Sequence, residues 1–177
     1  MKYIWLIGAS TGIGEALAGQ LAKQDTTIFI SARNEVKLSA MAKASSHDLV
    51  PVAVDICDDW SVVAAVNLIK KHTDRLDQVI INAGTCEYID SDEIDIGVVR
   101  DVMETNFFGA MNVVNAVLPF LREYNRQRAN ELLNWSSSEV LADPQLVFLS
   151  SSVTYQALPR AGAYGASKAA LRYFAES

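Results

Sequence analysis

Residues Tyr3 to Gly14 read YIWLIGASTGIG, and this stretch decides the fold. Five apolar residues, Tyr3 to Ile7, stand in an unbroken row before the first glycine. A short continuous apolar run is typical of a strand that is buried on both faces of a parallel sheet. The run Glu15–Lys23 that follows the glycines has helical character. The stretch therefore predicts a strand, a glycine-rich turn and a helix, in that order.

The three glycines of this turn, Gly8, Gly12 and Gly14, follow the spacing G-x-x-x-G-x-G. Gly8 allows a sharp turn at the strand end, Gly12 allows the backbone to approach a phosphate, and Gly14 allows the helix to pack on the strand. The free N–H groups and the positive end of the helix dipole attract a pyrophosphate. A purely structural turn is the alternative. The position between a first strand and a first helix favours a nucleotide site.

The composition places limits on the class of protein. The chain has 177 residues, half of them apolar and a fifth charged, which fits one globular domain over residues 1–177. The net charge of −6 and the lack of a basic block argue against nucleic-acid and membrane partners. Cys57 and Cys86 are too far apart in sequence to suggest a disulfide framework or a zinc site. No apolar stretch before Gly8 is long enough for a signal peptide, so we expect a cytoplasmic protein without a metal.

Strand-like and helix-like runs alternate along the whole chain. This alternation predicts an α/β fold with a doubly wound parallel sheet, Rossmann-like, in the strand order 3-2-1-4-5. The predicted strands are Tyr3–Ile7, Thr27–Ser31, Val50–Val54, Gln78–Ile81 and Leu146–Leu149. The predicted helices are Glu15–Lys23, Glu35–Ala44, Asp59–His72, Gly97–Tyr124 with a bend near residues 106–109, and Tyr164–Ser177. The polar segment Asn125–Pro144 is long for a connection, and we interpret it as a surface loop, with a shelter over the site as the alternative.

Chemically competent side chains cluster near the end of the chain. Tyr164 and Lys168 are four residues apart, so both project from one helix face. A phenol titrates near about 10, and a nearby ammonium favours its phenolate, so such a tyrosine could exchange a proton with a carbonyl oxygen. An ordinary exposed pair is the alternative. The serines at 150–152 follow the fifth strand, where ligands bind in open parallel sheets, although serines also form turns. Asn106, in an apolar helical stretch, is either a buried amide with partners or a kink.

Together these features resemble the short-chain dehydrogenase/reductase family. The matching motifs are the glycine turn, Asp55, Asn82-Ala83-Gly84, Asn106 in N-x-x-G, and the serine run with Tyr164-Gly-Ala-Ser-Lys168. The resemblance implies that the catalytic residues are Asn106, Ser151, Tyr164 and Lys168. The interval of thirteen residues to the tyrosine selects Ser151, with Ser152 as the neighbouring alternative. The cofactor-binding residues that it implies are Gly8, Ser10, Thr11, Gly12, Ile13, Gly14, Arg33, Asp55, Ile56, Asn82, Ala83, Gly84, Tyr164 and Lys168.

In that family the serine and the tyrosine polarise the carbonyl, the lysine binds the nicotinamide ribose, and the asparagine anchors a proton-relay water. This chain departs from the pattern at Ile7, where the family has a threonine that bonds the turn. The family also continues past the last helix with a sixth and a seventh strand and a substrate lid. We therefore expect a domain that is incomplete at its C-terminus, whose substrate cannot be named and whose activity as 177 residues is doubtful.

The expected function is an oxidoreductase that transfers hydride between a nicotinamide cofactor and a small carbonyl or alcohol substrate. We predict NADP rather than NAD, because no acidic residue ends the second strand and Arg33 can contact a 2′-phosphate, with hydroxyls from Ser10 and Thr11. The resemblance implies a homo-oligomer, a dimer or tetramer, through the helices Gly97–Tyr124 and Tyr164–Ser177. The first of these helices also has more apolar residues than packing on one sheet face needs: Met111, Val114, Val117, Leu118 and Leu121. A non-catalytic nucleotide-binding or scaffold protein on the same fold, or an inactive fragment, is the alternative.

Overall fold

The computed structural model describes residues 1–90, 94–132 and 143–177, and for residues 127–132 it describes the backbone alone. The strands are β1 Lys2–Ile7, β2 Thr26–Ser31, β3 Leu49–Pro51, β4 Gln78–Ile81 and β5 Gln145–Phe148. The helices are α1 Gly12–Leu21, α2 Glu35–Ala44, α3 Asp59–Lys70, α4 Ile96–Met103, α5 Gly109–Leu132 and α6 Gly162–Glu176. A π-helical turn, Glu104–Phe108, joins α4 to α5, and a 3₁₀ turn, Ser152–Thr154, follows β5.

The strands of the described residues form one parallel sheet in the order β3-β2-β1-β4-β5, as predicted. Successive side chains of a strand point to opposite faces, and both faces of β1 are apolar. Trp5 and Ile7 pack with α3 and α5, while Ile4 and Leu6 pack with α1 and α2. Both faces of the sheet are therefore covered by helices, which explains why the strand sequence has no polar alternation.

Several predicted boundaries were wrong. The third strand ends at Pro51 rather than Val54, although the N–H groups of Val52 and Val54 still donate to carbonyls at the end of β2. The segment Asn125–Pro144 is not a loop throughout, because α5 continues to Leu132. Its sequence up to Leu132 holds good helix formers and no glycine or proline, so a polar composition was mistaken for a loop. Residues 133–142 of this segment, with Trp135 and the serines after it, lie outside the described residues.

The predicted bend around Asn106 is the π-helical turn Glu104–Phe108. Such a turn inserts an extra residue into a helix, and it is often found at functional sites. Gly109 follows directly, and a Cβ there would lie 2.8 Å from the end of the Ile56 side chain. A side chain at position 109 would therefore force the end of the Ile56 side chain to shift.

The apolar residues of α5 do not supply the spare surface that we expected at a subunit interface. Val114, Val117 and Leu121 are buried in the core of their own chain, and Met111 and Leu118 pack against it. The argument for an interface from surplus apolar residues was wrong, and the oligomer rests on the family resemblance alone. Among the helices in the described ranges, none has the length and apolar character that a membrane crossing requires.

Candidate active site

A cavity of about 900 Å³ opens beyond the carboxyl ends of β1, β2 and β4. This is the edge where ligands bind in doubly wound sheets. Thirteen of the residues predicted from the sequence line it: Gly8, Ser10, Thr11, Gly12, Ile13, Arg33, Asp55, Ile56, Asn82, Ala83, Gly84, Tyr164 and Lys168. Gly14 and Asn106 are buried next to this lining, and Ser151 lies just beyond its neighbour Ser150, which does line the cavity.

The turn after β1 is held by hydrogen bonds, two between main-chain groups and one from the Asn82 side chain. Gly8 has φ 82 and Gly12 has φ 55, in the left-handed region that glycine adopts at little cost. The N–H groups of Gly8 and Ala9 both donate to the carbonyl of Ser31, at 2.8 and 2.9 Å. Asn82 donates from Nδ2 to the carbonyl of Gly8, at 2.8 Å. The turn therefore keeps its shape with Ile7 in place of the family's threonine.

The space around Gly14 shows how tightly the turn and the first helix are packed. A Cβ at Gly14 would lie 2.0 Å from the carbonyl oxygen of Gly8 and 2.6 Å from Nδ2 of Asn82. At Gly12 a Cβ would meet nothing within 4 Å, because this glycine faces the open cavity. A glycine-lined turn at the start of α1, open to the cavity, fits the pyrophosphate of a dinucleotide.

Arg33 and Asp55 lie at the end of the cavity beside β2 and β3. Arg33 is exposed and follows β2 by two residues. Asp55 accepts a hydrogen bond at Oδ1 from the N–H of Cys57, at 3.0 Å, which fixes its carboxylate at the cavity wall. Burial raises the pKa of the Cys57 thiol, so this neighbour is a neutral group at physiological pH. Among the described residues, this end presents the guanidinium of Arg33 and the fixed carboxylate of Asp55 to an adenosine.

Tyr164 and Lys168 line the opposite end, both on α6. Lys168 is only 4% exposed, and its Nζ donates to the carbonyl of Leu149 at 2.8 Å. Its Nζ lies 5.9 Å from the centre of the Tyr164 ring. Burial lowers the pKa of Lys168 below the usual value of 10.5. The predicted pair on one helix face is therefore present, with the lysine fixed to the end of β5.

Asn106 is fully buried behind this pair and joins two parts of the site. Its Oδ1 accepts from the N–H of Thr85 at 2.7 Å, and its Nδ2 donates to the carbonyl of Thr85 at 2.8 Å. The same Nδ2 donates to Oγ of Ser167 at 2.9 Å, and that hydroxyl donates to the carbonyl of Tyr164 at 2.8 Å. The buried amide therefore ties the segment after β4 to the helix that carries Tyr164.

The three serines after β5 are in different surroundings. Ser150 lines the cavity. Ser151 precedes the 3₁₀ turn, and its Oγ accepts from the N–H of Val153 at 3.4 Å. Ser152 is exposed. The choice of Ser151 as the catalytic serine stays a prediction.

The sequence prediction missed three residues that hold the site together: Ser31, Thr85 and Ser167. Ser31 is fully buried, and its hydroxyl accepts from Trp5 Nε1 at 2.8 Å and donates to the carbonyl of Val52 at 2.6 Å. The sequence did offer a signal for Ser31, because it is a polar residue at the end of an apolar strand. Thr85 and Ser167 act through contacts distant in sequence, which no local pattern reveals.

Comparison with known proteins agrees with this geometry. The family model described as short chain dehydrogenase matches residues 2–177. 11-beta-hydroxysteroid dehydrogenase 1A of Arabidopsis thaliana is 31% identical over 99% of this chain and 47% of its own length. The crystal structure of a short-chain dehydrogenase/reductase of Saccharomyces cerevisiae is 29% identical, with a TM-score of 0.82 over 98% of this chain and 63% of that one. The KRED1-Pglu enzyme is 28% identical, with a TM-score of 0.83 over 98% and 66%. The chain thus spans about half to two thirds of the length of these relatives.

Proposed function

The chain belongs to the short-chain dehydrogenase family, and we propose that its protein is an NADP-dependent oxidoreductase acting on a small carbonyl or alcohol. The observation that carries this proposal is the single cavity that joins the glycine turn and Arg33 at one end to Tyr164 and Lys168 at the other. A dinucleotide is long enough to need both ends. A scaffold protein does not require a lysine buried beside a tyrosine at the far end of a nucleotide cleft.

The residues present fit a nicotinamide dinucleotide. The turn around Gly12 would hold the pyrophosphate through its N–H groups, as helix N-termini do. Asp55 would accept from the adenine amino group, and Lys168 would bind the nicotinamide ribose. The bound cofactor would supply or accept the hydride.

The choice of NADP over NAD rests on the end of β2. The last residue of this strand is Ser31, whose hydroxyl is already engaged with Trp5 and Val52, and Ala32 follows it at the cavity wall. Neither residue can accept from a ribose 2′-hydroxyl as an acidic residue would. Arg33 is exposed on the cavity and can pair with a 2′-phosphate through its planar guanidinium.

Proton transfer is assigned to Tyr164. During reduction its phenol would donate a proton to the carbonyl oxygen of the substrate, and Ser151 would hydrogen-bond the same oxygen. The positive charge of Lys168 favours the phenolate that remains. Asn106 would hold the helix of Tyr164 in register with the segment after β4, in addition to its part in a proton relay. A homo-oligomer and a cytoplasmic location complete the proposal.

Binding and turnover measured on the full-length protein test it. Calorimetric titration should give tighter binding of NADPH than of NADH, and a panel of aldehydes and ketones should be reduced with loss of NADPH absorbance. Equal or tighter binding of NADH would contradict the cofactor assignment. Tight NADPH binding without turnover of any carbonyl or alcohol would favour the nucleotide-binding scaffold instead.

A further inference from the structure

The segment from Thr85 to Asp90 contributes its first three residues to one wall of the cavity and is held by contacts at both of its ends. Thr85 is held at its start by the two hydrogen bonds with Asn106. Cys86 and Glu87 follow and line the cavity. The far end of the segment contacts Arg160, which lies two residues before α6. The side chains that face the cleft are therefore suspended between two anchor points.

The second anchor consists of three contacts made by one residue. The carbonyl of Arg160 accepts from the N–H of Ile89 at 2.9 Å. Its Nε lies 2.7 Å from Oδ1 of Asp90, and its guanidinium lies over the Tyr88 ring, 5.8 Å from the centre. We call Arg160 with Tyr88, Ile89 and Asp90 the Arg160 clasp. It joins the wall after β4 to the segment that leads from the serines to Tyr164.

The backbone of Arg160 is in a costly conformation. Its φ is 65, and it is the sole residue other than glycine with a positive φ in the part of the chain that the structure describes. Side-chain-bearing residues seldom adopt this region, and such strain is retained where surrounding contacts compensate for it. Glycine at this position would relieve the strain. Arginine is therefore unfavourable for the backbone conformation of this turn, which points to a role for its guanidinium.

We propose that Arg160 is a positioning residue for substrate binding, which holds the wall formed by Cys86 and Glu87 in place through the Arg160 clasp. Its kinetic consequence rests on the proposed oxidoreductase function. The clasp touches neither the glycine turn nor Arg33, so cofactor affinity should not depend on it. Loss of the clasp should raise KM for the carbonyl substrate and leave the proton-transfer residues in place.

Two substitutions separate the side chain from the strain. Arg160→Gly and Arg160→Ala both remove the contacts with Tyr88 and Asp90, but glycine accepts φ 65 and alanine does not. Arg172→Ala is the matched control, because Arg172 also stacks on a tyrosine, Tyr155 at 4.3 Å, and pairs with a carboxylate, outside the cavity lining. The two side chains of the ion pair, Arg160 and Asp90, are 56% and 74% exposed, so the effect is modest.

We expect KM in both Arg160 variants of the full-length protein to rise about threefold to tenfold, with kcat and the Kd of NADPH within about twofold of the parent. Arg160→Gly should unfold at a higher temperature than Arg160→Ala. If Arg160 only stabilised the fold, KM would instead follow stability and would rise less in Arg160→Gly than in Arg160→Ala. Arg172→Ala should leave KM unchanged.

A second readout is independent of turnover. Exchange of the Ile89 amide hydrogen, followed by NMR or mass spectrometry, should be about threefold to tenfold faster in both Arg160 variants and unchanged in Arg172→Ala. Unchanged exchange in Arg160→Gly would overturn the clasp, even if the protein reduced no carbonyl at all. Faster exchange with an unchanged KM would overturn its role in substrate binding while leaving the oxidoreductase function intact.

Discussion

Gly14→Ala is the sharpest perturbation of the dinucleotide turn. The added Cβ would lie 2.0 Å from the carbonyl oxygen of Gly8, whereas ordinary contact begins at 3.4 Å. The turn and the first helix must therefore separate by roughly 1.4 Å, since the carbonyl oxygen of Gly8 is a backbone atom and cannot move aside as the end of a flexible side chain could. A shift of this size also breaks the bond from Asn82 Nδ2 to the Gly8 carbonyl, which is 2.8 Å long.

The expected loss of stability follows from three contributions. Overpacking of a tight site costs about 1–3 kcal/mol. The lost hydrogen bond adds about 1 kcal/mol. The better helix propensity of alanine offsets about 0.5–1 kcal/mol of this. The free energy of unfolding should therefore fall by about 1–3.5 kcal/mol.

Gly19→Ala in the same helix is the matched control, because a Cβ at Gly19 would meet nothing within 4 Å. It should raise the free energy of unfolding by about 0.5–1 kcal/mol. Urea unfolding of both variants measures the two effects, and calorimetric titration measures NADPH affinity. The Kd should rise at least about tenfold in Gly14→Ala, since displaced N–H groups lose charge-assisted bonds to the pyrophosphate. Equal stability of the two variants, or unchanged NADPH affinity in Gly14→Ala, would show that the packing around the turn has been misread.

Three further predictions concern single side chains. Arg33→Ala should weaken NADPH about tenfold or more and leave NADH nearly unchanged, by titration of both; equal losses would place Arg33 away from the 2′-phosphate. Because burial lowers the pKa of Lys168, the unfolded chain binds the proton more tightly between that lowered pKa and 10.5. The free energy of unfolding of the parent, measured by urea unfolding, should therefore rise with pH through this window relative to that of Lys168→Met. The same pH dependence in both proteins would refute this prediction. Alanine at Ser151 should lower kcat about 100-fold, while alanine at Ser150 or Ser152 should change it less; a larger loss at either neighbour would move the assignment.

Much of the fold could be predicted because its signals are local. The apolar run of β1, the glycine turn and the strand Gln78–Ile81 are each specified by a few consecutive residues, and the structure confirms them. Helix α5 was underestimated because a polar helix and a polar loop have similar compositions. Its continuation to Leu132 depends on helix propensity, which is a weak signal beside hydrophobic periodicity.

The sequence predicted most residues that line the cavity but not the contacts that connect them. Spacing placed Tyr164 and Lys168 on one helix face, as the structure confirms. The bond of Asn106 to Thr85 joins residues 21 apart, and its bond to Ser167 joins residues 61 apart. Such contacts depend on the folded arrangement of several elements. The left-handed backbone of Arg160 is likewise invisible in a sequence, because arginine carries no signal for it.

The central claim is that Tyr164 exchanges a proton with substrate while the same cavity binds NADPH. The most direct measurement compares steady-state NADPH consumption and NADPH affinity in the full-length protein and its Tyr164→Phe variant, with a carbonyl substrate found by screening. The account predicts that the variant loses at least about 99% of turnover, within the range for loss of general acid–base catalysis, and binds NADPH within about twofold of the parent. Turnover retained in Tyr164→Phe, or its loss together with cofactor binding, would contradict the account.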